Sequence, residues 1–246
     1  MTGAKPQFAL AIETSNPSST RDGGAAGSMG VALCALREAE SAFIREGEVW
    51  TEPLHANAGR EDDLLPAIDR LCRRQSASPA SLRLVVVSAG PGGFTSLRVA
   101  VTVAKSLAVS VGAACVAVPT AVAIAARTAA AGSAFAVLLA GKGESAHATV
   151  FPRGQWRDPQ IRAGLITARD VEKLGVQTIV GDAFVPGPIL EEASRLGIEV
   201  QRPCFDAAAC LEVGLTLQAL EPVHLSPIYA REPEAVTKWR ALHPKA

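Results

Sequence analysis

A surplus of charge of either sign is missing from this chain. Its 24 lysine and arginine side chains balance 24 aspartates and glutamates over 246 residues, so no net field draws it toward nucleic acid or a membrane surface. Aromatic residues are scarce too, at 4%, which leaves few platforms for stacked bases and argues against a stand-alone RNA-reading module. The five cysteines, Cys34, Cys72, Cys115, Cys204 and Cys210, form no C-x-x-C pair, and an odd number cannot all pair within one chain. That usage points to a reducing, cytoplasmic setting. The apolar run near the N-terminus is too short for a signal peptide, and no small-residue cleavage pattern follows it. The most apolar stretch, 99–118, holds Lys105 and is broken by Gly112, which argues against a membrane span.

Catalytic signatures are equally sparse. His55, His147, His224 and His243 make no H-x-x-x-H or H-E-x-x-H pair, so no metal site is predicted. There is no G-x-S-x-G elbow of the kind a serine hydrolase needs. The stretch SAGPGGFTSLR, residues 88–98, has neither the lysine of a phosphate-binding P-loop nor the glycine spacing of a dinucleotide-binding fingerprint.

What the chain does have is a hydrophobic content of 48%, supplied largely by alanine and valine, and a pattern that alternates strands with helices. Short apolar runs predict strands over 8–12, 29–36 and 40–49, an antiparallel meander interrupted by the turn-rich segment 16–28. EDDLLPAIDRLCRR, 61–74, places Leu64, Leu65, Ile68, Leu71 and Cys72 at helical spacing, with acids opening the helix and arginines closing it. LRLVVVSA reads as a buried strand and 96–111 as a helix ended by Gly112. Downstream, CVAVP is a strand followed by an alanine-rich helix. AFAVLLAGKGESAHATVFP is two strands about a glycine turn, with Lys142 and Glu144 at its solvated tip. TARDVEKLG and PILEEASRLG are short helices flanking the strand QTIVGD, and DAAACLEVGLTLQAL is a further helix. Strand-rich starts at Phe8 and Phe135 suggest two related halves. The predicted division is a lobe at 1–115, a smaller lobe at 116–220, and a proline-punctuated segment at 221–246 that packs back.

The glycine-rich turn between strand and helix admits two readings. Backbone N–H groups of Gly92, Gly93, Phe94 and Thr95 at the positive end of a helix would welcome an anion. Alternatively, Gly90, Gly92 and Gly93 serve a tight corner in which the backbone must approach another segment closely. Glu13 and Thr14, after the first strand, could orient a hydrated magnesium ion or simply make a turn, and Arg98 could pair with a phosphate or with a neighbouring carboxylate.

LAIETS, LLPAIDRL, SAGPGGFTSLRVAVTVAKSLA, AGKGE and EPVHLSPIYAREPEAVTKW together resemble the TsaB (YeaZ) family. The resemblance runs from about Phe8 to Trp239 and is most specific over 84–108. It implies an α/β architecture of the actin/Hsp70 (ASKHA) type, with two RNase H-like lobes whose mixed sheets are flanked by helices. It implies a non-catalytic relative of TsaD that lacks the paired-histidine metal site. Such proteins bind a TsaD-like catalytic subunit and, with a TsaE-like ATPase, support threonylcarbamoyl transfer to N6 of adenosine 37 in tRNAs that read codons beginning with A. On that reading the chain has no cofactor of its own, ATP and magnesium act at the level of the complex, and tRNA is met only through it. Where the family typically has serine this chain has Gly93, where it has glycine this chain has Ser96, and its usual aspartate after the first strand is Glu13 here. The segment 16–28 is an insertion relative to the family.

In the family, the helices matching 61–74 and 96–111 meet counterparts on TsaD, or on a second TsaB in a homodimer, as a four-helix interface. Leu64, Leu65, Ile68 and Leu71 are the candidate contacts, and the same residues could instead face the chain's own sheet. The competing class is an actin-like ATPase or phosphotransferase that uses Glu13 and the Gly90–Thr95 loop.

Overall fold

The computed structural model describes residues 6–16, 29–39, 42–54, 63–128, 132–152, 156–157, 160–230, 239–240 and 242–243. Strands β1 (Gln7–Glu13), β2 (Gly30–Ala39) and β3 (Ala42–Pro53) form an antiparallel meander. Strands β4 (Leu82–Gly90) and β5 (Ala114–Pro119) then add in parallel on the other side of β1, giving the order β3-β2-β1-β4-β5. Helix α1 (Leu64–Arg74) precedes β4 and α2 (Phe94–Val111) joins β4 to β5, the crossover that a parallel pair requires.

The second half repeats this plan. After α3 (Thr120–Ala125), strands β6 (Phe135–Ala140), β7 (Ala146–Phe151) and β8 (Gln160–Ile166) make a second meander. Strands β9 (Thr178–Gly181) and β10 (Glu199–Gln201) add in parallel beyond β6, with α4 (Gly187–Arg195) between them. Read from its meander edge, this sheet has the order β8-β7-β6-β9-β10, the same as the first. Two lobes of one topology are the actin-like architecture that the resemblance implied.

The alternation along β1 explains how the layers stack. Phe8, Leu10 and Ile12 point to one face and pack with Val31, Leu33, α1 and α2. Ala9 and Ala11 point to the other, where α5 (Ala207–Gly214), returning from the second lobe, lies across β1, β2 and β4. Small side chains on that face let the helix come close, so that a Cβ at Gly214 would collide with the Val86 side chain. The core between the lobes then continues through α3, Val137, Leu139, Phe135 and Phe151, the last two stacked with ring centroids 4.8 Å apart.

Several expectations are corrected. The segment TARDVEKLG is not an α-helix but two 3-10 turns, Ala168–Asp170 and Glu172–Leu174. Thr167 and Asp170 close a reciprocal capping box there, and left-handed Gly175 ends the second turn before a helix can propagate. Strands β8 and β10 were not predicted. β10 is a three-residue edge strand with little apolar content, and such pairing is imposed by its neighbour rather than by propensity. The first sheet runs through Pro119, past the boundary expected at 115, because β5 completes it. Helix α1 starts at Leu64, Glu61 lies outside the described residues, and so do 17–28 of the predicted insertion.

The described part of the C-terminal segment runs back along α2. Leu220 exchanges both backbone hydrogen bonds with Cys115, Lys105 Nζ donates to Val223 O at 2.9 Å, and Ile228 N–H donates to Ala89 O at 2.7 Å. Lys105, the charge inside the apolar run, is thereby used within the fold. Helix α2 is long and apolar enough to cross a membrane by length and composition, yet its Leu97, Ala100, Val101, Ala104 and Ala108 are buried in the protein's own core.

Candidate functional site

The end of β1 carries the turn Glu13-Thr14-Ser15-Asn16, and all four residues are buried. Glu13 Oε1 accepts hydrogen bonds from Ser15 N–H (2.8 Å) and Ser15 Oγ (2.6 Å), whereas Oε2 is buried without a partner among the described residues. Burial pushes the Glu13 carboxyl above its ordinary value, against the pull of the Ser15 donors, and the Asp206 charge pushes the same way. The group therefore holds its proton to a higher pH than an ordinary glutamate does. Ser88 and Thr120, whose hydroxyls lie 2.9 Å apart, are also fully buried, at the ends of β4 and β5.

The glycine turn meets this loop directly. Gly93 N–H donates to Ser15 O at 2.7 Å, and a Cβ at Gly92 would collide with that same carbonyl. Gly90 has φ +115, and a Cβ there would strike the Ile228 carbonyl oxygen. Close backbone approach is thus what the glycines provide, and one N–H that an anion would need is committed to Ser15. Thr95 and Arg98 are exposed on the first turns of α2, away from the buried Glu13 and Thr14. The residues predicted as one nucleotide loop are therefore divided between a buried junction and an outer surface.

That junction has a member the sequence did not reveal. Asn16 Nδ2 donates to Asp182 Oδ2 at 2.9 Å, and Asp182 also accepts from Ala140 N–H (2.9 Å) and Phe184 N–H (2.8 Å). Burial pushes the Asp182 carboxyl up while these donors, with the Val185 N–H, hold it back. Asp182 follows β9, whose counterpart in the first lobe is β4, the strand that carries Ser88. A search for an acid after a strand could have singled it out.

The partner-interface candidates separate just as sharply. Leu64, Ile68 and Leu71 are buried in the first lobe's core, on a helix that lies against β2 and β3, and cannot meet a partner, which corrects that assignment. Leu65 is 56% exposed and remains on the outer face. On one side of the helix, Arg70 makes a two-pronged pair with Asp63 (3.0 Å each) and a bond to Glu52 (2.7 Å), while Arg74 takes the other Glu52 oxygen (2.7 Å). These bonds clamp α1 to β3 and leave its Leu65 side free of them.

Helix α2 presents a second exposed apolar strip. Phe94, Thr95, Arg98, Val99, Thr102 and Val103 line a shallow cavity of about 400 Å³. Phe94 is 59% exposed, with the Arg98 guanidinium over its ring at 5.1 Å and the Tyr229 ring at 5.6 Å. Val109 continues the exposed face toward the C-terminus of the helix. Both helices lie on the same face of the first sheet. Among the described residues, no three His, Cys, Asp or Glu side chains come together in a way that could hold a metal ion.

The family model for TsaD, tRNA N6-adenosine threonylcarbamoyltransferase, matches residues 51–230. No curated protein shows significant sequence similarity to the chain. Among solved structures, one described as an uncharacterized protein with similarity to peptidase YEAZ from Pseudomonas aeruginosa superposes with a TM-score of 0.61 at 16% identity, over 92% of this chain and 100% of that one. YeaZ from Pseudomonas aeruginosa superposes with a TM-score of 0.58 at 14% identity, over 91% of this chain and 99% of that one. At such identities the likeness speaks for the fold, and the family model speaks for descent. A model match over most of the length, joined to this duplicated two-lobe topology, shows that the chain belongs to the TsaD family and is a TsaB/YeaZ-like member of it.

Proposed function

We propose that this protein acts by binding a TsaD-type catalytic subunit and supporting it, together with a TsaE-type ATPase, in threonylcarbamoyl transfer to N6 of adenosine 37 of tRNA. The observation that carries the reading is the outer face of the first lobe. Leu65 on α1 and Phe94, Val99, Val103 and Val109 on α2 offer apolar surface beside a sheet already covered on its inner side by α5. Exposed apolar surface of this kind, rimmed by Thr95, Arg98 and Thr102, suits a protein partner. A helical partner laid across two helices would bury it in one step. ATP, magnesium and tRNA enter at the level of the assembly in this proposal, and the setting is the cytoplasm, where tRNA is modified.

The competing ATPase reading requires Glu13 to reach a hydrated cation. With its carboxyl buried under Ser15 and the lobes joined by Asn16 and Asp182, that reach would first require the lobes to part.

Co-purification with a TsaD-type subunit tests the proposal. Leu65→Asp combined with Val109→Asp should abolish capture while the melting temperature stays near that of the parent, since both side chains are exposed. Undiminished capture by the folded double variant would remove this face as the interface. Normal threonylcarbamoyladenosine after deletion of the gene would remove the function. Tight binding of magnesium and ATP by the isolated chain, read by calorimetry, would favour the enzyme instead.

A further inference from the structure

Helix α2 carries two charged side chains, Arg98 and Lys105, both cations. Lys105 is used inside the fold, where its ammonium donates to Val223 O. Arg98 is exposed, and among the described residues no hydrogen bond or ion pair holds it. Its guanidinium lies over the Phe94 ring at 5.1 Å, and the Tyr229 ring braces Phe94 from 5.6 Å. The residues lining the outer cavity form two rows at helical spacing, Phe94, Arg98 and Thr102 in one and Thr95, Val99 and Val103 in the other. A cation with unused N–H donors thus stands within an apolar strip.

That placement runs against the electrostatics of the helix itself. The N-terminal end of a helix is its positive end and favours acids, yet the first turn of α2 has none and the first charge along it is Arg98. A residue that breaks a local rule with no compensating partner in the fold is expected where binding requires it. We propose that Arg98 is the specificity-determining residue of this face, and that the partner seats on it an aspartate or glutamate carboxylate carried among aliphatic side chains. The inference rests on the docking role proposed above and adds what the partner must present.

Chemistry selects this occupant. The guanidinium fork matches a carboxylate through paired N–H···O bonds. A wholly apolar partner surface would strip water from the cation and return nothing for it. A free anion such as phosphate would satisfy Arg98 but leave Val99 and Val103 uncovered, and the Gly93 N–H that opens the helix is already given to Ser15. A second copy laying its own α2 here would set cation against cation, since that helix has no acid. A carboxylate flanked by aliphatic side chains answers the charge and the apolar rows together.

The affinity of the full chain for a TsaD-type subunit, read beside the melting temperature of each variant, tests the proposal. Arg98→Gln should weaken binding about tenfold and Arg98→Glu about a hundredfold. Arg98→Lys keeps the charge but loses the fork, and should fall between the parent and Arg98→Gln. Parent binding should weaken with added salt more steeply than that of Arg98→Gln. Stability should not follow: Arg98→Glu brings an acid toward the positive end of α2, so its melting temperature should equal or exceed the parent's. Binding by Arg98→Glu as tight as the parent's would overturn the proposal, and so would a loss of binding that tracks a loss of stability.

Zero-length carbodiimide cross-linking identifies the occupant. In the Arg98→Lys variant the introduced amine should couple to an aspartate or glutamate of the TsaD-type subunit, located by mass spectrometry and absent with the parent. No coupling to the subunit, whether the amine stays free or joins a second copy or a carboxylate of its own chain, would overturn the proposal. Failure of the parent itself to bind the subunit would remove the docking role, whereas tight binding indifferent to Arg98 would remove this inference alone.

Discussion

Asn16 and Asp182, 166 positions apart in the chain, join the two lobes through an amide-to-carboxylate hydrogen bond of 2.9 Å. Both side chains are buried. The loop that holds Asn16 also gives its Ser15 carbonyl to Gly93, the residue that opens α2. Three segments from different parts of the sequence thus depend on one four-residue turn.

Asn16→Ala removes the one side-chain donor that reaches the buried Asp182 carboxyl from the other lobe and should cost about 1.5–3 kcal/mol of stability. Urea unfolding measures it. A loss below about 0.5 kcal/mol would mean that water replaces the amide and that the lobes do not rely on this bond.

Leu64→Ala and Leu71→Ala should each destabilise by about 2–5 kcal/mol, because both leucines are packed in the core under α1. Leu65→Ala should change stability by no more than about 0.5 kcal/mol. The contrast between neighbours on one helix, read as urea midpoints, checks which side of α1 faces inward.

Gly92→Ala should destabilise by about 1–3 kcal/mol, since its methyl group cannot share space with the Ser15 carbonyl and the turn must shift. Gly187→Ala, where a Cβ meets nothing beyond its chain neighbours but the residue precedes Pro188 in the first turn of α4, should cost less than Gly92→Ala, no more than about 1 kcal/mol. Thermal melts of the pair separate a glycine required by close approach from one that is not.

Glu13 sets a pH dependence. Its folded-state value is raised above the ordinary 4.5 by burial, so its contribution to stability is complete below the unfolded value and is lost as pH rises through the folded one. Relative to Glu13→Gln, which keeps a neutral side chain, the parent should lose stability between acidic and alkaline buffers. Parallel urea midpoints for the two proteins across that range would contradict a raised Glu13 value.

Local chemistry made much of this molecule readable in advance. The apolar runs around Leu10, Leu33 and Val86 became strands because alternation and β-branching act over a few residues, and Gly112 ended α2 in the left-handed conformation that glycine tolerates. The duplicated lobe was visible as a second strand-rich start at Phe135. Sheet edges were not: β8 and β10 are paired by neighbours, and the residues of TARDVEKLG favour helix more than the short turns their caps and contacts allow.

Site residues divide along the same physical line. Residue type announced that Gly90, Gly92 and Gly93 sit at a strand-to-helix corner, since few other side chains tolerate such a turn. Nothing in the order of residues could say that Ser15 would be the backbone they approach, that Asn16 would find Asp182, or that Leu64, Ile68 and Leu71 would turn inward while Leu65 stayed outside. Those outcomes depend on which surfaces the folded sheet offers to a helix, and burial is a property of the assembled neighbours rather than of the residue itself.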